Sequence, residues 1–392
     1  MKKHAYLSID LGNSSTRIHI ACLDADNKPI SRLRTISNRY GYIDNSTKHI
    51  LESADYTEKN SKVFTMGNEM VCVGKICATE CGFNSIKPTS TDKKFDSKFS
   101  KYAVRLSIME GYLELAKMLE VDLEDLDIVW HIAACLPAYD YNIGKDKMKE
   151  LIAEVDEIDF QIPEFRKHIT VDPKISVRPE GFTAYIGTVF ENLRLYRYQM
   201  KAVAKTNVLV VDMGDGTTDL SIIQGMTLGD DSLHSIPRGG SSITQGLKKA
   251  MEQRYGHSFS LDAMQEASIT GVLKLGNREV DITEDVDRIR RKNAISVANA
   301  IKGYFDTISI SIDEINYVLL CGGGADRTPV DGMKPYATYI QEELQNMMKY
   351  VDFLDMPMVK QIGKNGEEEL VSINPRMLNV IGLGILNSPA TK

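Results

Sequence analysis

Aspartates followed by small, hydroxyl-bearing residues are the first features of this 392-residue chain that could do chemistry. In the segment 10–16, DLGNSST, an aspartate ends an apolar run and a turn follows. Such a turn can aim backbone N–H groups and hydroxyls at phosphate oxygens, while the carboxylate holds a hydrated Mg²⁺. Taken alone, the segment is also typical of an ordinary Gly-Asn hairpin. The candidate ligands are Asp10, Gly12, Asn13, Ser14, Ser15 and Thr16.

A second loop of the same design lies in the segment 212–219, DMGDGTTD. Its glycines would permit close approach of a ligand to the backbone, and its threonines would donate to the β- and γ-phosphates. Its first aspartate would share the metal ion with Asp10. Because the two loops share one residue pattern, together they predict that a polyphosphate binds between them. This interpretation is favoured over a hairpin with a purely structural role. The candidate ligands are Asp212, Gly214, Asp215, Gly216, Thr217 and Thr218.

A third group of small residues directly follows the apolar run 318–321. The absence of side chains there would let a flat base or a ribose lie against the backbone. A Rossmann site is not indicated, because no GxGxxG opens a helix and no acidic ribose ligand follows at the required distance. The candidate ligands are Gly322, Gly323, Gly324 and Ala325.

Regular elements must position these loops. Residues 5–11 and 16–23 predict a β-hairpin, and residues 208–213 and 219–223 repeat it, which indicates an internal duplication. Between and after the hairpins, the sequence predicts helices, strands and one capping box, formed by Ser242 and Gln245. The helices are expected at 102–119, 145–155, 242–255, 284–305 and within 374–384, and the strands at 128–136, 163–179 and 315–321. This alternation predicts α/β layers.

Composition limits the function classes. The chain is 43% hydrophobic with a formal charge of -7, which suits two globular domains and gives no general attraction to nucleic acid. The N-terminus lacks a signal-peptide pattern and no run is long enough to span a membrane, so a cytoplasmic protein is expected. The cluster Cys72, Cys77 and Cys81 has no CxxC pair and no obvious fourth ligand, which favours buried free thiols over a zinc site.

The order and spacing of the three loops resemble the phosphate 1, phosphate 2 and adenosine motifs of the actin, heat-shock-chaperone and sugar-kinase ATPase superfamily. The resemblance implies a duplicated, ribonuclease H-like α/β fold of two domains, 1–181 plus 371–392 and 182–370, with the nucleotide in the interdomain cleft. It also implies Mg²⁺ with ATP, or alternatively GTP. In this family a connecting segment positions the attacking water, and Pro179-Glu180-Gly181 is similar to it, so Glu180 is the predicted catalytic residue. The alternative is a glutamate merely exposed on a turn.

Within the superfamily, four features of the sequence resemble the ParM-type segregation actins. They are the start at Asp10, the strand end 136–139, the Pro179-Glu180 pair and the segment 239–244. That resemblance implies a homopolymeric filament that moves plasmid DNA through a DNA-binding adaptor of the ParR type, without direct contact with nucleic acid or membrane. A non-polymerising nucleotide switch and a small-molecule kinase of the same superfamily stay open as alternatives.

Overall fold

The computed structural model describes residues 2–44, 51, 55–89, 92–195, 203–328, 330, 332–362 and 368–388. The chain forms two compact units. Unit 1 comprises residues 1–136, 140–183 and 380–392, and unit 2 comprises 137–139 and 184–379. The division at 181/182 and 370/371 implied by the family stays a prediction, and it differs from these units most at residues 371–379.

The first part of the chain is built around a sheet with the strand order β10-β7-β1-β2-β3, in which β11 also pairs with β7. A smaller sheet has the order β4-β6-β5-β8-β9. The elements are β1 (Lys3–Leu11), β2 (Ser15–Leu23), β3 (Pro29–Ser37), β4 (Tyr40–Ile43), β5 (Ser61–Met66), β6 (Glu69–Gly74), α1 (Lys98–Leu119), β7 (Ile128–Leu136), α2 (Ala138–Ala153), β8 (Glu157–Ile162), β9 (Glu164–His168), β10 (Thr170–Val171), β11 (Ser176–Pro179) and α3 (Glu180–Leu195).

The second part repeats this plan with a sheet of order β14-β13-β12-β17-β18 and two separate hairpins, β15-β16 and β19-β20. Its elements are β12 (Asn207–Met213), β13 (Thr218–Gln224), β14 (Thr227–Ile236), α4 (Gly240–Tyr255), α5 (Leu261–Thr270), β15 (Val272–Leu275), β16 (Arg278–Asp281), α6 (Thr283–Phe305), β17 (Tyr317–Cys321), α7 (Tyr336–Met347), β18 (Asp352–Phe353), β19 (Met358–Ile362), β20 (Glu368–Ser372) and α8 (Leu378–Asn387). Among the described helices, none is long and apolar enough to cross a membrane.

The predicted duplication is confirmed strand by strand. In each main sheet the central strand pairs antiparallel with the strand that follows it and parallel with a later one: β1 with β2 and β7, and β12 with β13 and β17. The equivalence extends to single residues, because Asp10 is in register with Cys135 and Asp212 is in register with Cys321. Central strands covered on both faces are buried, and accordingly Leu7 and Leu209 are fully buried.

The predicted capping box at the start of α4 is wrong. The helix begins earlier, at Gly240, and its N-cap residue Gly239 makes no side-chain capping bond. Backbone N–H groups of Gly240 and Ser241 instead donate to the carbonyls of Gly214 and Asp215, at 3.1 and 2.7 Å. Free N–H groups at a helix start can be satisfied by any acceptor, and here the second glycine-rich loop provides it.

The other helices predicted for the first part also begin earlier than expected. Helix α1 starts at Lys98 because Ser97 caps it by accepting a hydrogen bond from the backbone of Ser100. Helix α2 starts at Ala138, directly after Pro137, which follows β7, and ends at Ala153. Both predicted strands next to the candidate sites, 128–136 and 315–321, are present.

Replacing Gly111 by alanine should destabilise the core of unit 1. A β-carbon at this position of α1 would lie 2.6 Å from Cη2 of Trp130, whose ring is fully buried and has no room to move. We expect a loss of about 1–3 kcal/mol in the free energy of unfolding. Urea unfolding followed by the fluorescence of Trp130, the single tryptophan, measures it.

The matched control is Gly303→Ala in α6, where a β-carbon meets open space. There the ordinary helix preference for alanine should stabilise the protein by about 0.5–1 kcal/mol, measured by circular dichroism. Equal losses in the two variants would contradict the proposed clash with the indole.

Candidate functional site

The first glycine-rich loop closes the β1-β2 hairpin. The backbone N–H of Gly12 donates to the carbonyl of Ser15 at 3.1 Å, which leaves Asn13 and Ser14 at the tip. Of these residues Ser14 is exposed and Asn13 is half-buried. The backbone of the tip is therefore open to a ligand, as a phosphate-binding loop requires.

Asn38, which the sequence reasoning missed, fixes this loop from the side. Its side-chain amide donates to the carbonyl of Gly12, and its side-chain oxygen accepts from the hydroxyls of Thr16 at 2.9 Å and Tyr40 at 3.1 Å. Its backbone N–H donates to the carbonyl of Ser14 at 3.2 Å. The hydroxyl of Thr16 is fully buried in this network, so Thr16 shapes the loop rather than presenting a donor to solvent.

Asp10 is the next-to-last residue of β1 and is only 2% exposed. Nη1 of Arg17, on the facing strand β2, lies 3.1 Å from its Oδ2, and Nη2 of the same guanidinium donates to the Ser15 hydroxyl at 3.3 Å. A buried carboxylate is costly unless a counter-charge or hydrogen bonds compensate it. Arg17 provides that compensation and links the carboxylate to the loop.

Glu180 is the first residue of α3 and lies beside Asp10. Carboxylate oxygens of the two residues and the Sγ of Cys135 all lie within 4.8 Å of one another. The side chain of Glu180 is largely buried, and Nζ of Lys94 lies 2.9 Å from its Oε1. Glu180 is thus a buried carboxylate that is paired with Lys94, and it is not exposed on a turn. Lys94 precedes α1 in a segment without regular structure, and no sequence signal marked it.

The donor set of unit 1 fits the Mg²⁺ that the resemblance implies. Asp10 and Glu180 offer hard carboxylate oxygens at close range, which is the chemistry that Mg²⁺ prefers. The thiol of Cys135 is a soft group and is not expected to take part. Arg17 and Lys94 balance the two negative charges, so the cluster is electrically close to neutral.

The second loop closes in the same way as the first. The backbone N–H of Gly214 donates to the carbonyl of Thr217 at 2.9 Å. The Thr217 hydroxyl donates to Asp219 at 2.7 Å, and the buried Thr218 hydroxyl donates to the carbonyl of Arg238 at 2.7 Å. In this conformation both hydroxyls donate within unit 2, so the predicted donation to β- and γ-phosphates would fall to the backbone.

Asp212 holds the third loop and the start of α8. It is 4% exposed, and its Oδ2 accepts a hydrogen bond from Nδ2 of Asn379 at 2.7 Å. Gly322 has a φ of +78°, and a β-carbon there would overlap the Oδ1 of Asp212. The glycine is therefore required by the backbone conformation and by the carboxylate.

The next two glycines of the third loop also leave little space for a side chain. A β-carbon at Gly323 would lie 3.3 Å from the guanidinium of Arg376, and one at Gly324 would lie 2.7 Å from the β-carbon of Met213. Ala325 is buried. Packing within unit 2 thus explains these small residues, and their contact with a base stays a prediction.

The two units carry equivalent half-sites. Each has a buried strand-end aspartate, a closed loop after it and a polar side chain at the start of a later helix: Glu180 on α3 in unit 1 and Asn379 on α8 in unit 2. Apart from residues 137–139, the chain passes from unit 1 to unit 2 within α3, and it returns within α8.

Comparison with known proteins supports this description. Residues 210–329 match a family model described as the C-terminal part of MreB-like archaeal actin homologues. No curated protein matches the chain. One similar solved structure is an archaeal actin homologue, 16% identical, with 97% of this chain and 98% of the homologue covered and a TM-score of 0.65. A second is a ParM from a 15-stranded filament of Clostridium botulinum, 18% identical, with 98% of both chains covered and a TM-score of 0.62. A third is the actin-like protein Alp7A, 16% identical, with 99% of this chain and 96% of Alp7A covered and a TM-score of 0.65. The archaeal homologue has also been solved in complex with ADP.

The chain therefore has the actin-like fold. The resemblance to actin-like ATPases that the three loops predicted is confirmed at this level, with ParM proteins among the structures that share the fold.

Replacing Asn38 by alanine should loosen the first loop. The change removes the donor to the Gly12 carbonyl and the acceptor for two buried hydroxyls, which we expect to cost about 1–3 kcal/mol. Urea unfolding gives the cost, and faster amide hydrogen exchange at residues 12–16 locates it. The control Asn13→Ala removes a half-buried side chain from the same loop and should change stability by less than about 0.5 kcal/mol. Unchanged exchange in the Asn38 variant would show that Asn38 does not fix the loop.

Proposed function

We propose that this protein is a Mg²⁺-dependent ATPase whose nucleotide state controls its assembly into filaments. The observation that carries the proposal is the duplicated half-site. Two loops, closed by equivalent backbone hydrogen bonds, each follow a buried strand-end aspartate. One such loop would suit many structural hairpins, whereas two equivalent loops in a duplicated fold suit the binding of one polyphosphate.

The phosphates would be bound mainly by backbone N–H groups of the two loops. The tip at residues 13 and 14 offers such groups in unit 1, and residues 215–217 offer them in unit 2. Arg17 and Lys94 offset the charges of Asp10 and Glu180, which lowers the repulsion between those carboxylates and a phosphate beside the first loop. A shallow recess lined by Gly12, Asn13 and Lys94 among others lies next to it.

Mg²⁺, when bound, would neutralise part of the phosphate charge, with Asp10 holding it and Asp212 as the predicted second residue. Glu180 would act as the catalytic residue by orienting a water molecule toward the γ-phosphate. Its position supports that role, because Lys94 fixes one carboxylate oxygen and α3 fixes the backbone. A preorganised carboxylate needs little rearrangement before the reaction.

Relatives of the same fold, rather than any surface motif, support the proposal of filament formation. A ParM of the same fold was solved as a filament, and identical subunits joined by two different patches form open filaments. We extend the proposal to plasmid segregation in the cytoplasm through a DNA-binding adaptor of the ParR type. The formal charge of -7 supports an adaptor, because it disfavours direct binding to DNA.

Replacing Glu180 by glutamine should abolish most hydrolysis while leaving nucleotide binding in place. The amide keeps the size of the side chain but loses the negative charge that polarises water, so kcat should fall by about 10²- to 10⁴-fold. Phosphate release with saturating Mg-ATP, and with Mg-GTP in parallel, measures the rate; binding of a fluorescent ATP analogue measures affinity.

The control Glu164→Gln changes an exposed glutamate of β9 and should leave both properties unchanged. A Glu180 variant with full activity would assign hydrolysis to another residue. EDTA should stop hydrolysis in the wild-type protein, and activity that survives EDTA would contradict the role of Mg²⁺.

Assembly is tested by right-angle light scattering after addition of Mg-ATP, with electron microscopy of the same sample. We expect scattering to rise and then to decay as phosphate appears, and to persist in Glu180→Gln because its lattice keeps ATP. Hydrolysis without scattering at high protein concentration would contradict the filament and favour a non-polymerising switch. Transfer of the phosphate to an added small-molecule acceptor would favour a kinase.

A further inference from the structure

Three cysteines that the proposed ATPase does not use converge in the smaller sheet of unit 1. Cys72 lies on β6, and Cys77 and Cys81 are the first and last residues of a π-helical segment that follows it. Their Sγ atoms all lie within 4.8 Å of one another, and Cys72 and Cys81 are separated by 3.6 Å. All three side chains are buried.

Two features of the backbone bring the thiols together. The wide turn of the π-helical segment places residues four apart on one face, and such segments are frequent at functional sites. Gly41 on β4 is directly opposite Cys72 in the sheet, and a β-carbon at Gly41 would overlap Cys81 Sγ and lie 3.0 Å from Cys72 Sγ. The missing side chain at Gly41 thus leaves the space that the sulfur atoms fill.

The separation of the sulfurs suits a shared metal ion better than a disulfide. Two thiolates at about 2.3 Å from a tetrahedral Zn²⁺ lie about 3.8 Å apart, whereas the sulfurs of a disulfide lie about 2.05 Å apart. The observed 3.6 Å is close to the first value. Thiolate ligands select soft ions such as Zn²⁺ and Cu⁺ over Mg²⁺ or Ca²⁺.

The surroundings of the three sulfurs are apolar. Apolar side chains, among them Ile43, Val63 and Ile162, pack around the sulfurs. Within the described ranges, no fourth histidine, cysteine or carboxylate joins the three thiols.

We propose that Cys72, Cys77 and Cys81 form a structural site for one thiophilic metal ion, either Zn²⁺ or Cu⁺. Three thiolates suffice for Cu⁺, and Zn²⁺ would complete its four ligands with a small molecule from solution. The absence of a CxxC pair does not exclude the site, because the fold brings together thiols from a strand and a π-helical segment. The site is independent of the nucleotide chemistry.

The test uses the full chain, reduced and freed of metal under nitrogen. Co²⁺ is titrated first, because cobalt-thiolate absorption reports sulfur ligands directly; Zn²⁺ is then added to displace it. Cu⁺ is measured separately by competition with a chromophoric chelator. We expect one equivalent of Co²⁺ that is displaced by Zn²⁺, or one equivalent of Cu⁺, together with a rise in the thermal midpoint of the wild-type protein.

Cys72→Ser, Cys77→Ser and Cys81→Ser should each lose the cobalt-thiolate absorption or the Cu⁺ equivalent. The matched control Cys22→Ser removes a buried thiol of the same unit and should keep both. If a serine variant fails to fold, the wild-type stoichiometry and thermal shift still decide the question. The proposal is overturned if wild-type protein binds neither ion, if binding survives all three substitutions, or if mild oxidation yields a Cys72–Cys81 disulfide in protein that takes up no metal.

Discussion

A buried carboxylate at the end of a central strand is the constraint on which both units depend. Asp10 and Asp212 are almost completely inaccessible, and an uncompensated charge at such a depth would destabilise the fold. In each unit a different side chain compensates the charge of the aspartate. Unit 1 uses the guanidinium of Arg17, and unit 2 uses the side-chain amide of Asn379. The partner then ties the carboxylate to a neighbouring element, so the compensation of charge also fixes the geometry of the loops.

The two half-sites are equivalent in backbone and different in chemistry. The hairpin loops close with the same hydrogen bond, from Gly12 to Ser15 and from Gly214 to Thr217. The later helix contributes an acid in unit 1, Glu180, but an amide in unit 2. If the two half-sites act on one nucleotide, as proposed, the carboxylate that activates water comes from unit 1, because Asn379 takes the equivalent place in unit 2. A duplicated fold can in this way use both halves to bind a ligand and one half to catalyse its reaction.

The cysteine cluster lies on one face of the smaller sheet, whereas the other face joins the large core of unit 1 through Phe64, Val71 and Val73. The sheet that contains β4, β5 and β6 packs a small apolar group around the thiols, separate from the large core behind β1. Small cores bury little surface and are commonly reinforced by a metal ion or a disulfide. A bound ion would link β6 to the π-helical segment without any change in the half-site at Asp10.

The sequence by itself determined the duplicated hairpins, the strands next to the three loops and the resemblance to actin-like ATPases, because strand periodicity and glycine-rich turns are local signals. It could not identify Asn38 or Lys94, which act through contacts with residues distant in the chain. It also could not show that Thr218 is buried, since a hydroxyl next to a turn looks the same whether it faces a ligand or a carbonyl. Only the tertiary structure decided those contacts and the convergence of the three thiols, because they depend on how separate strands and helices pack together.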